Sequence, residues 1–158
     1  MYTKVEKIVR ILDEKKKTIS TMESCTGGGV ANEITSIEGA SDVLKFSAVT
    51  YSNEYKIKMG VSSEVIDKFT VYSMETAREM SKNIAIFAGS NYGVGITGML
   101  NCKDPSNPSI NPNKIYVSIY DKDNDTYCDD SIEVFSSDRR ENKKEVINFI
   151  INKLLEIL

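Results

Sequence analysis

Hydrophobic residues recur at helical spacing near the start of the chain. Aliphatic side chains stand between charged residues across positions 2–16, at Val5, Ile8, Val9, Ile11 and Leu12. That spacing places them on one face of a helix, so an amphipathic helix is predicted there. Residues 17–22 instead carry β-branched side chains in partial alternation, which is typical of a half-buried strand. The pattern therefore predicts that the chain opens with a helix leading into a strand.

The two patterns alternate along the rest of the chain. Further strands are predicted at residues 46–51, 92–98, 114–120 and 126–135. Helices are predicted at residues 30–37, after Ser52, after Ser62, from about residue 72 towards Phe87, and from Ser136 to the end. The alternation, with one hairpin near the end, predicts a single domain over residues 1–158 with an α/β fold. The expected architecture is a layered α/β/α domain with a mixed, mainly parallel central sheet.

Residues 22–29 read Met-Glu-Ser-Cys-Thr-Gly-Gly-Gly and join the first predicted strand to a helix. A strand that enters a helix through glycines leaves backbone N–H groups free at the helix start, and these favour anions and developing negative charge. Ser24 and Thr26 stand at this position. Either hydroxyl is equally suited to capping the helix, so the turn alone leaves capping and a catalytic or ligand-binding role open.

Glycines also recur in the predicted strand at residues 92–98. Gly93, Gly95 and Gly98 formally match a dinucleotide-binding fingerprint, but they lie inside the strand. The segment that follows contains prolines and does not read as a helix, which disfavours that interpretation. We expect these glycines to mark the close approach of another element or of a ligand.

Charge and composition narrow the classes of function. The 158 residues carry a net charge of −3, and acidic and basic residues are dispersed along the chain. A dedicated nucleic-acid surface normally shows as a basic stripe, so no nucleic-acid partner is expected. No apolar run reaches membrane-spanning length and the first residues lack the apolar core of a signal peptide. We therefore expect a cytoplasmic protein without a membrane partner.

The chain contains no histidine, and its three cysteines are widely spaced. This spacing fits neither a disulfide framework nor a zinc site, so no metal is expected. Every histidine-based catalytic triad is also excluded. Any general base must be a lysine, an acidic residue, a tyrosine or a cysteine.

Two motifs together go beyond generic α/β features. Residues 23–28 read Glu-Ser-Cys-Thr-Gly-Gly and residues 49–56 read Val-Thr-Tyr-Ser-Asn-Glu-Tyr-Lys, with a Gly-Ala-Ser loop at residues 39–41 between them. This combination closely resembles the signature of the CinA C-terminal domain family, whose characterised members are nicotinamide mononucleotide amidohydrolases. The resemblance covers nearly the whole chain. It implies a small-molecule nucleotide substrate, no cofactor and a homodimer.

The resemblance also implies the residues of the site. Ser24 matches the family's nucleophile, Lys56 its general base and Tyr51 a tyrosine of the same active site, so the resemblance implies these three as the catalytic residues. Arg139 matches the arginine of a late motif that is suited to the substrate's phosphate. The remaining substrate-binding positions that the resemblance implies are Thr26, Gly27, Gly28, Ser41, Thr97 and Gly98.

The implied chemistry is consistent with the residues present. A serine is a poor nucleophile until a base takes its proton, and without histidine a neutral lysine amine is the natural base. Burial favours that neutral form. Free N–H groups near Gly27 are expected to bind the oxyanion, at roughly 3 kcal/mol per donor. The expected reaction is hydrolysis of the nicotinamide carboxamide, which releases ammonia and nicotinic acid mononucleotide.

Other interpretations stay open at this point. By composition alone Lys56 would lie on a solvated helix face, whereas Cys25 reads as a small buried residue and not as the nucleophile. Residues 99–104 replace a glycine-containing loop of the family with bulkier side chains, and Lys143 stands where a second arginine is usual. The alternative function is therefore a weak or inactive nucleotide-binding protein with a rewritten substrate loop. A third reading is an interaction protein of the competence or DNA-damage response.

Overall fold

The computed structural model describes residues 1–101 and 111–158. Those residues form five strands, β1 (Ile19–Glu23), β2 (Leu44–Val49), β3 (Tyr92–Gly98), β4 (Lys114–Asp121) and β5 (Thr126–Glu133). They also form six α-helices, α1 (Lys4–Glu14), α2 (Gly29–Thr35), α3 (Asn53–Lys58), α4 (Ser63–Phe69), α5 (Met74–Ala88) and α6 (Arg139–Ile157). A short 3-10 turn (Ala40–Asp42) precedes β2.

The strands form one sheet in the order β2-β1-β3-β4-β5. Strand β1 pairs in parallel with both β2 and β3, whereas β4 is antiparallel to β3 and to β5. Among the described strands, β4 alone runs against the common direction. The predicted mixed, mainly parallel sheet is confirmed.

Helices cover both faces of the sheet. Residues of α1, α2 and α6 pack with the sheet in a large hydrophobic core that includes Leu12, Ile34 and Ile150. A second core lies on the opposite face, where Met22 of β1 packs with Met80 and other residues of α4 and α5. The predicted layered α/β/α architecture is therefore confirmed.

The element boundaries differ from the predictions by a few residues. Helix α1 begins only after Thr3, whose hydroxyl accepts a hydrogen bond from the Glu6 N–H while the Glu6 carboxylate binds the Thr3 N–H. This capping box fixes the first turn. Strand β2 spans Leu44–Val49, so Thr50 and Tyr51 lie just beyond its end and not inside it. Hydrophobic patterns indicate which face is buried more reliably than where hydrogen bonding stops.

Helix α5 lies unusually close to strand β3. A Cβ atom built on Gly93 would lie 2.0 Å from the Ser81 carbonyl oxygen, and one built on Gly95 would lie 2.2 Å from that of Ala77. No side chain fits between the two backbones. Of the two expectations for these strand glycines, the close approach of another element is confirmed for Gly93 and Gly95.

Because β1, β2 and β3 run in parallel, their carboxyl ends meet at one edge of the sheet. Glu23 is in register with Val49 of β2 and with Ile96 of β3. The residues that follow these positions therefore stand side by side, and they include Ser24 and Thr97. In open sheets of this kind ligands bind at the carboxyl ends of the strands.

The described residues contain neither a membrane-spanning helix nor a cluster of metal-binding side chains. No helix within residues 1–101 and 111–158 combines the length and hydrophobicity that a membrane crossing requires. The same residues hold no group of three or more His, Cys, Asp or Glu side chains arranged to bind a metal ion.

Candidate active site

Ser24 and Lys56 meet at the carboxyl end of β1. The Lys56 Nζ lies 3.1 Å from the Ser24 Oγ and donates a second hydrogen bond of 2.7 Å to the Thr50 carbonyl oxygen. Relative exposure is 8% for Ser24 and 2% for Lys56. A serine and a lysine that are 32 positions apart in sequence thus form a buried, hydrogen-bonded pair.

Local structure explains how Lys56 reaches the site. Its helix α3 starts at the Ser52 cap, whose hydroxyl accepts a hydrogen bond from the Tyr55 N–H. The Lys56 carbonyl oxygen accepts a hydrogen bond from Val61, which lies in the core on the α5 face of the sheet. The helix is thereby held against the sheet with Lys56 on its buried side, and the expectation from composition of a solvated lysine is wrong.

The contacts of the Lys56 amine suit a general base. A neutral amine has two N–H donors and one lone pair. One N–H is held by the Thr50 carbonyl oxygen, and the lone pair can receive the Ser24 proton across 3.1 Å. This separation is within the range at which a base can take a proton directly.

Glu23 is a buried residue whose role the sequence did not reveal. Its carboxylate accepts hydrogen bonds from the hydroxyls of Thr26 and Thr21, at 2.5 Å and 3.0 Å. It also accepts hydrogen bonds from the N–H groups of Val30 and Ala31, both at 3.0 Å. Glu23 therefore caps helix α2, and neither Ser24 nor Thr26 does so. The available signal was an acidic residue directly before a glycine turn that opens a helix.

The Glu23 cap changes which backbone groups are available to an anion. It occupies the first N–H groups of α2, which the sequence had suggested for anion binding. The N–H groups of Gly27 and Gly29 also bind carbonyl oxygens within the turn. In the described part of the chain, the N–H groups of Cys25, Thr26 and Gly28 make no such bond. They are the donors within the turn that remain for an oxyanion.

The turn itself depends on glycine at two positions. Gly27 and Gly28 have φ angles of 60° and 90°, which side chains rarely adopt. A Cβ atom on Gly27 would lie 3.0 Å from the Lys143 Nζ, which places that amine directly beside the turn. The predicted site residues Gly27 and Gly28 thus shape the backbone next to Ser24.

A pair of exposed polar side chains lies beside the turn. Arg139, the first residue of α6, donates a hydrogen bond of 2.7 Å to the Tyr51 hydroxyl. Tyr51 is 62% exposed and directly follows Thr50, whose carbonyl oxygen holds the lysine. Lys143 stands one helical turn after Arg139 and so lies on the same side of α6. The two cations therefore lie beside the turn that follows Ser24.

Cys25 is unsuited to act as the nucleophile. Burial raises the pKa of its thiol to about 12, even though the charges of Lys56 and Arg139 act in the opposite direction. The thiolate is the nucleophilic form, and it is scarce at neutral pH when the pKa is this high. Cys25 packs in the large core, in agreement with its interpretation as a small buried residue.

The other predicted substrate-binding residues lie in the turn before β2 and at the end of β3. Ser41 lies in the 3-10 turn before β2, at the amino end of a strand whose carboxyl end faces the site. The Thr97 hydroxyl donates to the Val71 carbonyl oxygen at 2.6 Å, and a Cβ atom on Gly98 would lie 2.4 Å from the Ile115 Cδ1. These contacts show how each residue serves the fold, and their binding of substrate stays a prediction.

The segment after β3 is anchored by a network of asparagines. The fully buried Asn142 of α6 donates to the Asn101 side-chain oxygen at 2.7 Å and to the Ser136 carbonyl oxygen at 2.8 Å. The backbone N–H of Asn101 also donates a hydrogen bond of 2.7 Å to the Asn113 side-chain oxygen. The network ties the end of β3 to the first turn of α6, which carries Arg139.

The bulky residues that follow Gly98 are directed into the protein. Met99 and Leu100 are 5% and 1% exposed, and Leu100 belongs to the large core. The rewritten substrate loop of the alternative function stays a prediction. The part of the predicted loop change at residues 102–104 lies outside the described residues.

A profile of one protein family matches almost the entire chain. It is described as the CinA C-terminal domain and covers residues 2–158. The chain belongs to the CinA C-terminal domain family. The resemblance that the two motifs suggested is thereby confirmed.

Relatives of this CinA-family chain carry the same family name. It is 46% identical over 95 residues to a CinA-like protein of Kosmotoga olearia and 46% identical over 91 residues to one of Endomicrobium trichonymphae. The matches cover 60% and 57% of this chain, and 23% and 21% of those relatives. The chain thus spans about a quarter of the length of the curated relatives it matches.

Solved structures share the fold over nearly the whole chain. A competence/damage inducible protein of Agrobacterium tumefaciens superposes with a TM-score of 0.83 at 24% identity, over 99% of this chain and 96% of that one. A CinA superfamily protein of Klebsiella pneumoniae superposes with a TM-score of 0.86 at 20% identity, over 97% and 94%. At these identities the likeness establishes the fold alone.

Proposed function

We propose that this CinA-family protein hydrolyses the carboxamide of nicotinamide mononucleotide to nicotinic acid mononucleotide and ammonia. The observation that carries the proposal is the buried 3.1 Å contact between the Lys56 amine and the Ser24 hydroxyl. A protein that only binds a nucleotide has no chemical need for a serine beside a buried lysine. Such a reaction belongs to the salvage of pyridine nucleotides.

The reaction proceeds in two stages, formation of an acyl-serine at Ser24 and its hydrolysis. Lys56 takes the Ser24 proton while Oγ forms a bond to the carboxamide carbon, and the N–H groups of Thr26 and Gly28 bind the resulting oxyanion. The C–N bond then breaks as Lys56 returns the proton to nitrogen, and ammonia leaves. Water, deprotonated by the same amine, attacks the acyl-serine and releases the carboxylic acid, which restores the Ser24 hydroxyl.

The positive charges of Arg139 and Lys143 beside the turn support a phosphorylated substrate. Arg139 offers a planar guanidinium that can bind a phosphate through two parallel hydrogen bonds, whereas Lys143 acts as a point charge. Both lie on α6 beside the Gly27 turn, and Tyr51 holds the arginine side chain in place. We assign these residues to the phosphate and Tyr51 to positioning Arg139.

Assembly into a homodimer remains a prediction. Strand β2 forms one edge of the sheet, and its Phe46 and Val49 are exposed. An exposed edge strand with apolar side chains is suited to pairing with another chain. The oligomeric state is measured directly by sedimentation.

Ammonia release from nicotinamide mononucleotide tests the activity. The parent protein should release ammonia, and Ser24→Ala should lower kcat by about 10⁴-fold, as loss of a catalytic nucleophile does. Ser63→Ala, an exposed serine on α4, is the matched control and should behave as the parent. An active Ser24→Ala variant would contradict the role of the pair. A folded parent without turnover would refute the amidase and favour the nucleotide-binding alternative.

The substrate's phosphate is tested through Arg139. Arg139→Met should raise KM for nicotinamide mononucleotide about tenfold, since one charged contact is lost. The neighbouring Arg140→Met is the control, because Arg140 is also exposed on the first turn of α6. Neither variant should change turnover of nicotinamide riboside, which lacks the phosphate. Equal effects on both substrates would contradict the assignment.

A further inference from the structure

One buried hydroxyl next to the Ser24–Lys56 pair has no hydrogen-bond partner among the described residues. It is Oγ1 of Thr50, a residue that is 2% exposed. The other buried oxygen without a partner, Oδ1 of Asp129, belongs to a carboxylate whose second oxygen binds Arg78. A buried polar group that lacks a partner destabilises the fold, so its presence calls for an explanation.

Buried hydroxyls elsewhere in the described residues are all satisfied. Partners are found for the side chains of Ser20, Thr21, Ser24, Thr26, Ser73, Thr76, Ser81, Ser90, Thr97 and Ser118. Thr50 is thus the exception within a well-satisfied interior. The exception stands at the carboxyl edge of the sheet, where a ligand is expected.

The register of the sheet places this hydroxyl beside the nucleophile. Glu23 is paired with Val49, and the pairing continues one step further because the Thr50 N–H donates to the Glu23 carbonyl oxygen at 2.9 Å. Ser24 and Thr50 are therefore neighbours on adjacent strands. Side chains alternate between faces, so Ser24 and Thr50 share a face with the residues two positions before them, Met22 and Ala48.

That face is the one on which Lys56 lies. Met22 and Ala48 pack in the core beneath α4 and α5, together with Val61, which binds the Lys56 backbone. The Lys56 Nζ contacts both neighbours, through the Ser24 Oγ and the Thr50 carbonyl oxygen. The residue that carries the unpartnered hydroxyl thus contacts the reacting pair through its carbonyl oxygen.

We propose that the Thr50 hydroxyl accepts a hydrogen bond from the NH₂ group of the substrate carboxamide and so turns its carbonyl carbon towards Ser24. This inference rests on the proposed amidase function. A primary amide brings two N–H donors into a pocket where they need acceptors. The Thr50 hydroxyl meets one of them, and binding satisfies both groups at once.

Two substitutions and two substrates test this assignment. Thr50→Val keeps the shape of the side chain and removes the hydroxyl, whereas Thr50→Ser keeps the hydroxyl. Turnover is measured on nicotinamide mononucleotide and on the methyl ester of nicotinic acid mononucleotide, which carries no N–H at the reacting group. The ester therefore reports on the pair without the contact in question.

For Thr50→Val, kcat/KM on the amide should fall about tenfold, the factor expected for one lost neutral hydrogen bond. The value on the ester should stay within about twofold, and Thr50→Ser should resemble the parent on both substrates. The thermal midpoint of Thr50→Val should match or exceed that of the parent, because an unsatisfied group is removed.

Three results would overturn the inference. An equal loss on amide and ester would show that the hydroxyl does not act through an N–H of the substrate. Unchanged amide turnover in Thr50→Val would show that it does not act on the substrate at all. A marked drop in the thermal midpoint would reveal a structural partner. If the parent hydrolyses the ester but not the amide, the proposed amidase function fails separately.

Discussion

Strands β1 and β3 pair in parallel and end at the same edge of the sheet, and each end carries a hydroxyl residue near glycines. After β1 the Ser24 hydroxyl contacts the Lys56 amine, and among the described residues the backbone N–H groups of Cys25, Thr26 and Gly28 bind no carbonyl oxygen. At the end of β3 the Thr97 hydroxyl is bound by Val71, and Gly98 leaves room for β4. The Thr97 hydroxyl has given its single donor to the fold and keeps only its acceptor lone pairs, whereas the Ser24 hydroxyl lies against an amine that can take its proton.

Lys56→Met carries the largest expected effect and tests the chemical side of the comparison. Methionine fills a similar volume without the amine, so kcat for ammonia release should fall by about 10⁴-fold while the protein stays folded. Lys58→Met, on the exposed side of α3, is the control and should retain parental kcat. A Lys56→Met variant with more than a tenth of parental activity would show that the Lys56 amine is not the catalytic base.

Gly95→Ala tests the packing side of the comparison. The added Cβ would meet the Ala77 carbonyl oxygen and the Ser81 backbone nitrogen, so α5 has to move away from β3. We expect a loss of about 3 kcal/mol in the free energy of unfolding, measured in urea. Turnover per folded molecule should change far less than stability. Unaltered unfolding would contradict the close approach of helix and strand.

Thr97→Val distinguishes a structural hydroxyl from a substrate-binding one. The substitution leaves the buried Val71 carbonyl oxygen without its donor, which should cost about 1 kcal/mol of stability. KM for nicotinamide mononucleotide should then change by less than about threefold. Thr126→Val, at the exposed start of β5, controls for the loss of a threonine hydroxyl. A tenfold rise in KM would show that the Thr97 hydroxyl binds the substrate.

Cys25 gives the smallest effect and tests the immediate neighbour of the nucleophile. Its raised pKa leaves little thiolate at pH 8, so iodoacetamide should label the partly exposed Cys128 before Cys25, as peptide mass spectrometry would show. The folded value of about 12 lies above the ordinary 9.0. The stability linked to Cys25 is thus fully present below about pH 9 and is lost as pH rises through about 12. Cys25→Ala should reduce that alkaline loss, and rapid labelling of Cys25 would contradict its burial.

Pattern alone predicted the order and type of the elements, because a buried helix face and a buried strand face have different periods. It also indicated the turn after β1 as a candidate site, where glycines permit backbone angles that side chains rarely adopt, and it left capping and a catalytic role open. The roles of Ser24 and Lys56 came from the motifs they share with a family. Composition by itself would have left Lys56 on the surface.

Other parts of the site lay beyond reach of the sequence because they depend on which strands are neighbours. Thr50 stands beside Ser24 because β1 pairs with β2, and a strand pairing of this kind is not written in local spacing. The fate of Thr97 was hidden for the same reason, since its partner Val71 precedes a different helix. The Asn142 network likewise joins segments 41 positions apart.

The sequence by itself therefore determined a layered α/β domain, the absence of histidine chemistry and the turn at which a nucleophile would sit. These properties depend on local spacing and on which residue types are present. The tertiary structure decided which hydroxyls are free and which lysine is buried, because those properties depend on neighbours distant in sequence. It left the Thr50 hydroxyl without a partner among the described residues and joined the Thr97 hydroxyl to the Val71 carbonyl oxygen.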